Sequence, residues 1–218
     1  ADGGTFESSV TFADGADIIT ASKGTDNVRL GEGAGDSIAS GGTNNVVIGK
    51  DAGTAITTGD NNTFLGYNSG VATTTGGDSV AIGTSALAAQ TTGGDNVAIG
   101  HLALSTLTTA GNNVAIGDRA MSANTSGENN VAVGTLAMDA NTTGEQNVAI
   151  GRDALGANTT GLGNTAVGYS ALEANTSANN NTAFRRDALD ACTTGGANTA
   201  VGREALTKVT TGAYNTTV

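Results

Sequence analysis

The chain contains no proline, no tryptophan and one cysteine, and charged residues make up only 13% of it. A single cysteine, Cys192, cannot form a disulfide within the chain, so a disulfide-stapled scaffold is excluded. The formal net charge of −11 disfavours nucleic acid or an anionic membrane as a partner. No apolar run approaches the roughly 20 residues that cross a membrane, and residues 1–10 do not resemble a signal peptide. We therefore expect any export signal or anchor to lie outside this sequence.

What the chain has instead is a repeat of 17 residues. Residues 147–163, NVAIGRDALGANTTGLG, show the unit well, and we number its positions as places one to seventeen. A fixed period near 20 residues indicates a solenoid or an array. Serine replaces the first asparagine once, at Ser79, and Arg185 stands once where place five is otherwise glycine. The place-five glycines are Gly49, Gly66, Gly83, Gly100, Gly117, Gly134, Gly151, Gly168 and Gly202.

The repeat divides the chain into two parts. Residues 1–44 are predicted to be an irregular entry or capping segment, with a short strand over residues 5–12. A degenerate copy of the repeat lies at residues 26–31, and its glycine, Gly31, comes 18 residues before Gly49 instead of 17. From residue 45 to 218 about ten units follow without an insertion. Terminal repeats of a solenoid are expected to be atypical, because one face has no neighbour.

The unit predicts an all-β fold. Places one to five are too short for a helix, are rich in β-branched residues and end at glycine, so we expect a strand. Places eight to eleven could form a second short strand or a single helical turn, and we expect the strand, because glycine and the following threonine pair suit a helix poorly. We expect corners with positive φ at the glycines of places five and fifteen. Two short strands and two corners describe one coil of a parallel β-solenoid, and ten coils would make a rod about 50 Å long.

Side-chain direction follows from the alternation along a strand. We expect Val148 and Ile150 to point into the coil, with Leu155 and Ala157 opposite them. The alanines of places three and eight would then face outward. An outward column that stays small suggests that something packs closely against it, so we expect the chain to associate with itself, as a homotrimer. The alternative is that alanine fits a tight local bend.

The sequence Asn-Val-Ala-Ile-Gly, followed by Ala-Leu and Thr-Thr-Gly, resembles the head repeats of trimeric autotransporter adhesins. It is also similar to repeat regions of phage tail-fibre proteins. The resemblance covers residues 45–218, although adhesin heads commonly use a shorter unit. It implies a left-handed parallel β-roll, three chains around one axis, and a place in an extracellular attachment fibre on a virion or cell surface. It supplies no functional residue, because these motifs shape the coil.

Two sets of residues are singled out. The variable corners are the candidate contacts for a cell-surface glycan or protein receptor, namely Tyr67, His101, Arg152, Tyr169, Arg186 and Arg203. The asparagines of place one would stack in register, each amide bonding to the next coil. That predicted structural ladder comprises Asn45, Asn62, Asn96, Asn113, Asn130, Asn147, Asn164, Asn181, Asn198 and Asn215.

Other functions are weaker alternatives. A passive spacer would need no receptor site. The threonine pairs suggest an ice-binding face, and Asn158 and Thr160 would share it, but place twelve also carries apolar residues. Acidic residues one coil apart, at places seven and ten, have about the spacing that retaining glycosidases use. Since no aromatic platform accompanies them, we expect no enzyme. His101 is the only histidine, which excludes a histidine cluster as a metal site. We expect no catalytic residue, no cofactor and no metal.

Overall fold

The computed structural model describes residues 26–38 and 41–218, in which twelve short strands form one parallel sheet in chain order. The strand predicted at residues 5–12 lies outside the described residues. The strands are β1 Val28–Leu30, β2 Val46–Ile48, β3 Thr63–Leu65, β4 Val80–Ile82, β5 Val97–Ile99, β6 Val114–Ile116, β7 Val131–Val133, β8 Val148–Ile150, β9 Thr165–Val167, β10 Thr182–Phe184, β11 Thr199–Val201 and β12 Thr216–Thr217.

The predicted parallel β-solenoid of 17-residue coils is confirmed. Each strand pairs with the strand one coil further on, so Val131 lies beside Val148 and Val148 beside Thr165. The step from β1 to β2 is 18 residues, because Val28 pairs with Val46. No helix occurs within residues 26–38 and 41–218, and consequently none there could span a membrane. About eleven coils therefore stack on one continuous sheet.

The second strand predicted at places eight to eleven is absent, and a run of turns replaces it. Places seven and nine adopt the left-handed region, with φ of 57° at Asp153 and 53° at Leu155, which no strand allows. Local bonds close the turns, from Ala154 N–H to Gly151 O at 3.3 Å and from Asn158 N–H to Leu155 O at 3.0 Å. The turns are also bonded to their neighbours, since Leu155 N–H donates to Ala171 O. Each coil therefore has one strand wall and one turn wall.

The two predicted glycine corners differ. At place five the prediction holds: Gly151 has φ of 132°, and a Cβ there would lie 2.5 Å from Gly168 O in the next coil. At place fifteen the glycines do not have positive φ. A Cβ at Gly161 would instead collide with the Asn158 amide and would lie 2.5 Å from Ala178 O. Place fifteen is thus a position of close packing and not a left-handed corner.

The predicted direction of the strand side chains is wrong. Ala149, at place three, is completely buried, whereas Val148 and Ile150 point outward and are partly exposed. The same pattern, with a buried centre between two open flanks, recurs in strands β2 to β11. Ala154 and Leu155, at places eight and nine, complete the core from the turn wall. Since the alanines lie inside, they are no evidence for packing against another chain.

Core volume explains why place three is alanine. The coil is narrow, and where place nine is leucine or methionine only a methyl group fits opposite it. Early coils reverse the arrangement: Phe64 fills place three while place nine is Gly70, whose added Cβ would collide with the phenyl ring. Val47 and Gly53 form a similar pair. Large and small side chains therefore exchange walls while the core stays filled.

Candidate functional site

The asparagines of place one form the buried ladder that their spacing suggested. Asn147 donates its backbone N–H to Asn130 Oδ1 at 3.0 Å and its side-chain Nδ2 to the same oxygen at 3.3 Å. Its Nδ2 also donates to Gly161 O at 2.8 Å, across the coil. All these groups are buried, and the arrangement satisfies them in protein contacts alone. The ladder consequently fixes both the coil-to-coil register and the closure of each coil.

Ser79 interrupts this ladder, and a side chain from the same coil repairs it. The bond from Asn96 N–H to Ser79 Oγ is long, at 3.4 Å, because the serine side chain is shorter than that of asparagine. Gln90, at place twelve, fills the space: its Nε2 donates to Ser79 Oγ at 3.3 Å and its Oε1 accepts from Asn96 Nδ2 at 3.0 Å. Ser79 and Gln90 thus act as one unit.

A second buried asparagine ladder, which the sequence reasoning missed, runs along place twelve. Asn158 Nδ2 donates to Asn141 Oδ1 at 2.9 Å, and Asn175 Nδ2 donates to Asn158 Oδ1 at 3.1 Å. Asn158 also caps its own turn by accepting from Gly161 N–H at 3.1 Å. Its members are Asn124, Asn141, Asn158 and Asn175.

The predicted ice-binding face does not form as expected. Asn158 is completely buried and so shares no exposed face with Thr160. The threonines of place thirteen form a hydroxyl ladder, in which Thr142 Oγ1 donates to Thr159 O at 3.0 Å. Their hydroxyl donors are therefore engaged within the protein, although some of these threonines, such as Thr125 and Thr176, are exposed. Place fourteen adds an exposed column of threonine and serine beside them.

The six candidate contact residues share one column, because all occupy place six. The backbone holds this column in register, with Ser170 N–H donating to Arg152 O at 3.0 Å and Asp187 N–H donating to Tyr169 O at 3.0 Å. Arg186 lies over the Tyr169 ring, 5.4 Å from its centroid. Near the other end, His101 Nδ1 lies 2.9 Å from Asp118 Oδ1. The candidates Arg203 and Tyr67 flank these pairs, and Tyr67 is half exposed.

The acidic pairs are arranged as surface charges. Asp187 pairs with Arg186 at 2.9 Å, and Glu204 pairs with Arg203 at 3.0 Å. Asp190 lies near Glu173 and Asp187; burial raises the pKa of the Asp190 carboxyl, and these two carboxylates raise it further. Burial likewise raises the pKa of Asp139 and of the Cys192 thiol. Within the described ranges no three His, Cys, Asp or Glu side chains converge in a way that could hold a metal ion.

The outward strand residues of places two and four form a surface feature along the whole sheet, which we call the apolar strip. Ile116, Ile150 and Phe184 are 37%, 41% and 50% exposed. No charged residue occurs in either column. Place two of the strip is Val28, Val46, Thr63, Val80, Val97, Val114, Val131, Val148, Thr165, Thr182 and Thr199. Place four is Leu30, Ile48, Leu65, Ile82, Ile99, Ile116, Val133, Ile150, Val167, Phe184 and Val201.

The chain matches no protein-family model, no curated protein and no solved structure. The resemblance to adhesin heads and tail fibres therefore stays a prediction that rests on the repeat motif alone.

Proposed function

We propose that this chain is a segment of an extracellular fibre, a stiff rod that assembles as a homotrimer and takes part in attachment to a host or another surface. The observation that carries the proposal is the apolar strip, which runs without a charged residue along a stack of coils whose only departure from the 17-residue step, in the described chain, is one extra residue between β1 and β2. The function is structural and adhesive, without catalysis. A passive spacer is the same rod without a receptor site.

The rod is supported by hydrogen bonds that run along its axis. Strand pairing, both asparagine ladders and the threonine ladder all join one coil to the next. Side-chain and backbone bonds aligned in this way resist bending more uniformly than packing alone. Because each coil contacts only its neighbours, length can be added by repeating the unit.

The apolar strip supports self-association by its size. Ten steps of about 4.8 Å between its eleven strands give a length of about 48 Å, and two outward columns about 7 Å apart give a width of about 13 Å with their side chains. The area is about 600 Å², at the upper end of the 300–600 Å² that the largest patch on a typical monomer covers. It approaches the roughly 800 Å² that each partner buries in a stable interface. A second copy of this chain offers a strip of matching length.

A long, narrow strip is suited to a trimer. Three narrow strips that face one axis would enclose an apolar core along the whole rod, and each place-six column would lie outside it. The polar place-six residues, including Arg152 and Arg186, are then free to meet a receptor.

Cross-linking tests whether the strips face one another. Ile116→Cys places a thiol in the middle of the strip, and a short bis-maleimide should join two copies covalently. The matched control Thr143→Cys, exposed on place fourteen, should remain a single chain on a denaturing gel. Equal cross-linking of both variants would contradict the proposed interface. The wild-type chain, in which Cys192 is the thiol present, measures the background cross-linking.

A glycan array then separates attachment from spacing. Binding that is lost in a Tyr169→Ala, Arg186→Ala variant, and kept in Thr143→Ala, would support the place-six column as the contact surface. Signal at background for the wild-type chain would favour the passive spacer.

A further inference from the structure

The last coils carry a cleft on the side of the rod formed by places fourteen to seventeen. In the first coils, polar side chains at place seventeen bond along the rod: Asn44 Nδ2 donates to Asn61 Oδ1 at 3.3 Å, and Asn61 Nδ2 donates to Asp78 Oδ1 at 3.0 Å. We call these side chains the outer row. In the last described coils, the place-seventeen residues Asn180, Ala197 and Tyr214 form no such bond with one another, so the row is broken there.

The break is made by small residues in one coil. Gly196 and Ala197 occupy places sixteen and seventeen, between Asn180 in the preceding coil and Tyr214 in the following one. Flanking coils lie about 10 Å apart, twice the strand spacing, so one ring-sized group fits between their side chains. The resulting cleft has a volume of about 330 Å³. That lies at the lower end of the range for small-molecule sites.

The groups that line the cleft are polar, uncharged and in part uncommitted. Asn180 makes no side-chain hydrogen bond to the described residues, because Gly163 and Ala197 beside it carry no polar group. Asn179 Oδ1 accepts from Leu162 N–H at 2.7 Å, which leaves its NH₂ group free to donate. The hydroxyls of Ser177 and Thr194 also line the cleft. No lining residue is charged, although the chain as a whole is strongly acidic.

Tyr214 forms the remaining wall. It is 87% exposed in a chain whose aromatic content is only 3%. Its ring offers an apolar face and its hydroxyl a donor and acceptor. A ligand that matches this lining has an apolar face, several hydroxyl groups and no charge.

We propose that the cleft between Asn180 and Tyr214 binds the ring of a neutral sugar. The apolar CH face of the ring packs on Tyr214, and its hydroxyls bond to the Asn179 and Asn180 amides and to the Ser177 and Thr194 hydroxyls. This inference rests on the attachment role proposed above and adds a ligand class and a site to it. Three copies in one fibre would present three such clefts, so weak single-site binding would be strengthened by multivalency.

Saturation-transfer NMR with the methyl glycosides of glucose, galactose, mannose and N-acetylglucosamine tests the proposal. At least one glycoside should receive saturation from the wild-type chain. Tyr214→Ala should weaken binding at least about tenfold, as expected for loss of one well-placed contact. Thr143→Ala, which changes an exposed residue outside both the cleft and the place-six column, should bind as wild type does.

Ala197→Asn is the decisive variant, because it fills the cleft without endangering the fold. Ala197 has φ of 56°, a conformation that asparagine adopts more readily than alanine, and the new amide would continue the outer row towards Asn180. We expect an unchanged or higher melting temperature and no sugar binding. Wild-type affinity in this variant, or no response to any of the four glycosides, would overturn the proposal. If strip cross-linking persists in that case, only the sugar site has failed and the rod assembly stands.

Discussion

Leu155 shows how single residues are forced into unusual conformations by the coil. Its φ of 53° costs about 1 kcal/mol or more relative to a right-handed conformation, yet its completely buried side chain contributes about 2 kcal/mol. Burial therefore outweighs the backbone strain. Where place three carries a larger residue, as in Phe64, glycine takes place nine and the strain disappears.

The Phe64 and Gly70 pair allows this compensation to be measured. Phe64→Ala alone should destabilise the chain by about 3–5 kcal/mol, because it leaves a cavity. Gly70→Leu alone should also destabilise it, since the ring occupies that space. The double variant reproduces the arrangement of later coils and should recover most of the loss. Urea unfolding of all four proteins checks this, and additive losses would contradict the exchange of volume between the walls.

Arg185 is the one residue that departs from glycine at place five. Its φ is 99°, in a region that costs a side chain of order 1–3 kcal/mol. Arg185→Gly should therefore raise the melting temperature by several degrees. Gly151→Ala, with the opposite change in an ordinary coil, should lower it. An unchanged or lower melting temperature for Arg185→Gly in a thermal scan would show that the corner is not strained.

Asp190 predicts a dependence on pH. Burial raises the pKa of this carboxyl in the folded chain, so the folded state binds the Asp190 proton more tightly than the unfolded state does. The stability gained from this protonation is fully present below the unfolded pKa and is lost as pH rises through the folded pKa. Asp190→Asn should then be more stable than wild type at pH 7, and the two should converge near pH 3. Thermal denaturation at both pH values tests this, with the exposed Asp95→Asn as a control. A constant difference across that range would point to a cause other than ionisation.

At the scale of elements, the ladders determine the coil more than its strands do. Each strand has only two or three residues, which is short for a stable sheet. The asparagine of place one joins the start of the strand to Gly161 O across the coil, and the asparagine of place twelve bonds to the same oxygen from the turn wall. Breaking one rung leaves buried donors and acceptors unpaired, at a cost of about 1–3 kcal/mol for each group.

The Ser79 and Gln90 pair tests whether the rung behaves as one unit. Gln90→Leu should destabilise the chain, because Asn96 Nδ2 loses one of its two acceptors, Gln90 Oε1 at 3.0 Å, and keeps only Ala110 O. Ser79→Asn alone should crowd Gln90. The two substitutions together reproduce the next coil, where Asn96 accompanies Leu107. The asparagine at position 79 should then bond to Asn96 without a bridging side chain. A double-mutant cycle by urea unfolding should show a coupling of about 1–3 kcal/mol. A coupling near zero would mean that Gln90 fills space without completing the rung.

At the scale of the whole molecule, the period of the sequence was enough to predict the solenoid, its parallel register and the stacking of place one. The direction of the side chains was not predicted, because alternation gives two faces but does not say which is inside. We placed the larger side chains of Val148 and Ile150 inward, whereas the narrow coil accepts only Ala149 opposite Leu155. One signal was available: Phe64 at place three coincides with Gly70 at place nine.

The candidate contacts and the cleft also differ in how far the sequence predicts them. The place-six column follows from the period alone, since stacked coils bring equal places together. The cleft at Gly196 and Ala197 depends on small residues in one coil and larger ones in the two coils beside it, and no motif signals it. The second asparagine ladder was missed because place twelve also holds Leu107 and Cys192, which concealed an inward position that accepts either polar or apolar side chains.

The account depends most directly on the assembly of the chain through its apolar strip, and the mass in solution measures this. Light scattering at several concentrations should give three times the chain mass of 21.1 kDa for wild type and for the control Thr143→Lys. Ile116→Lys, with a charge in the middle of the strip, should shift the mass towards that of a single chain. A wild-type chain that stays monomeric at every concentration would contradict the account, since the strip would then be exposed to water without a partner.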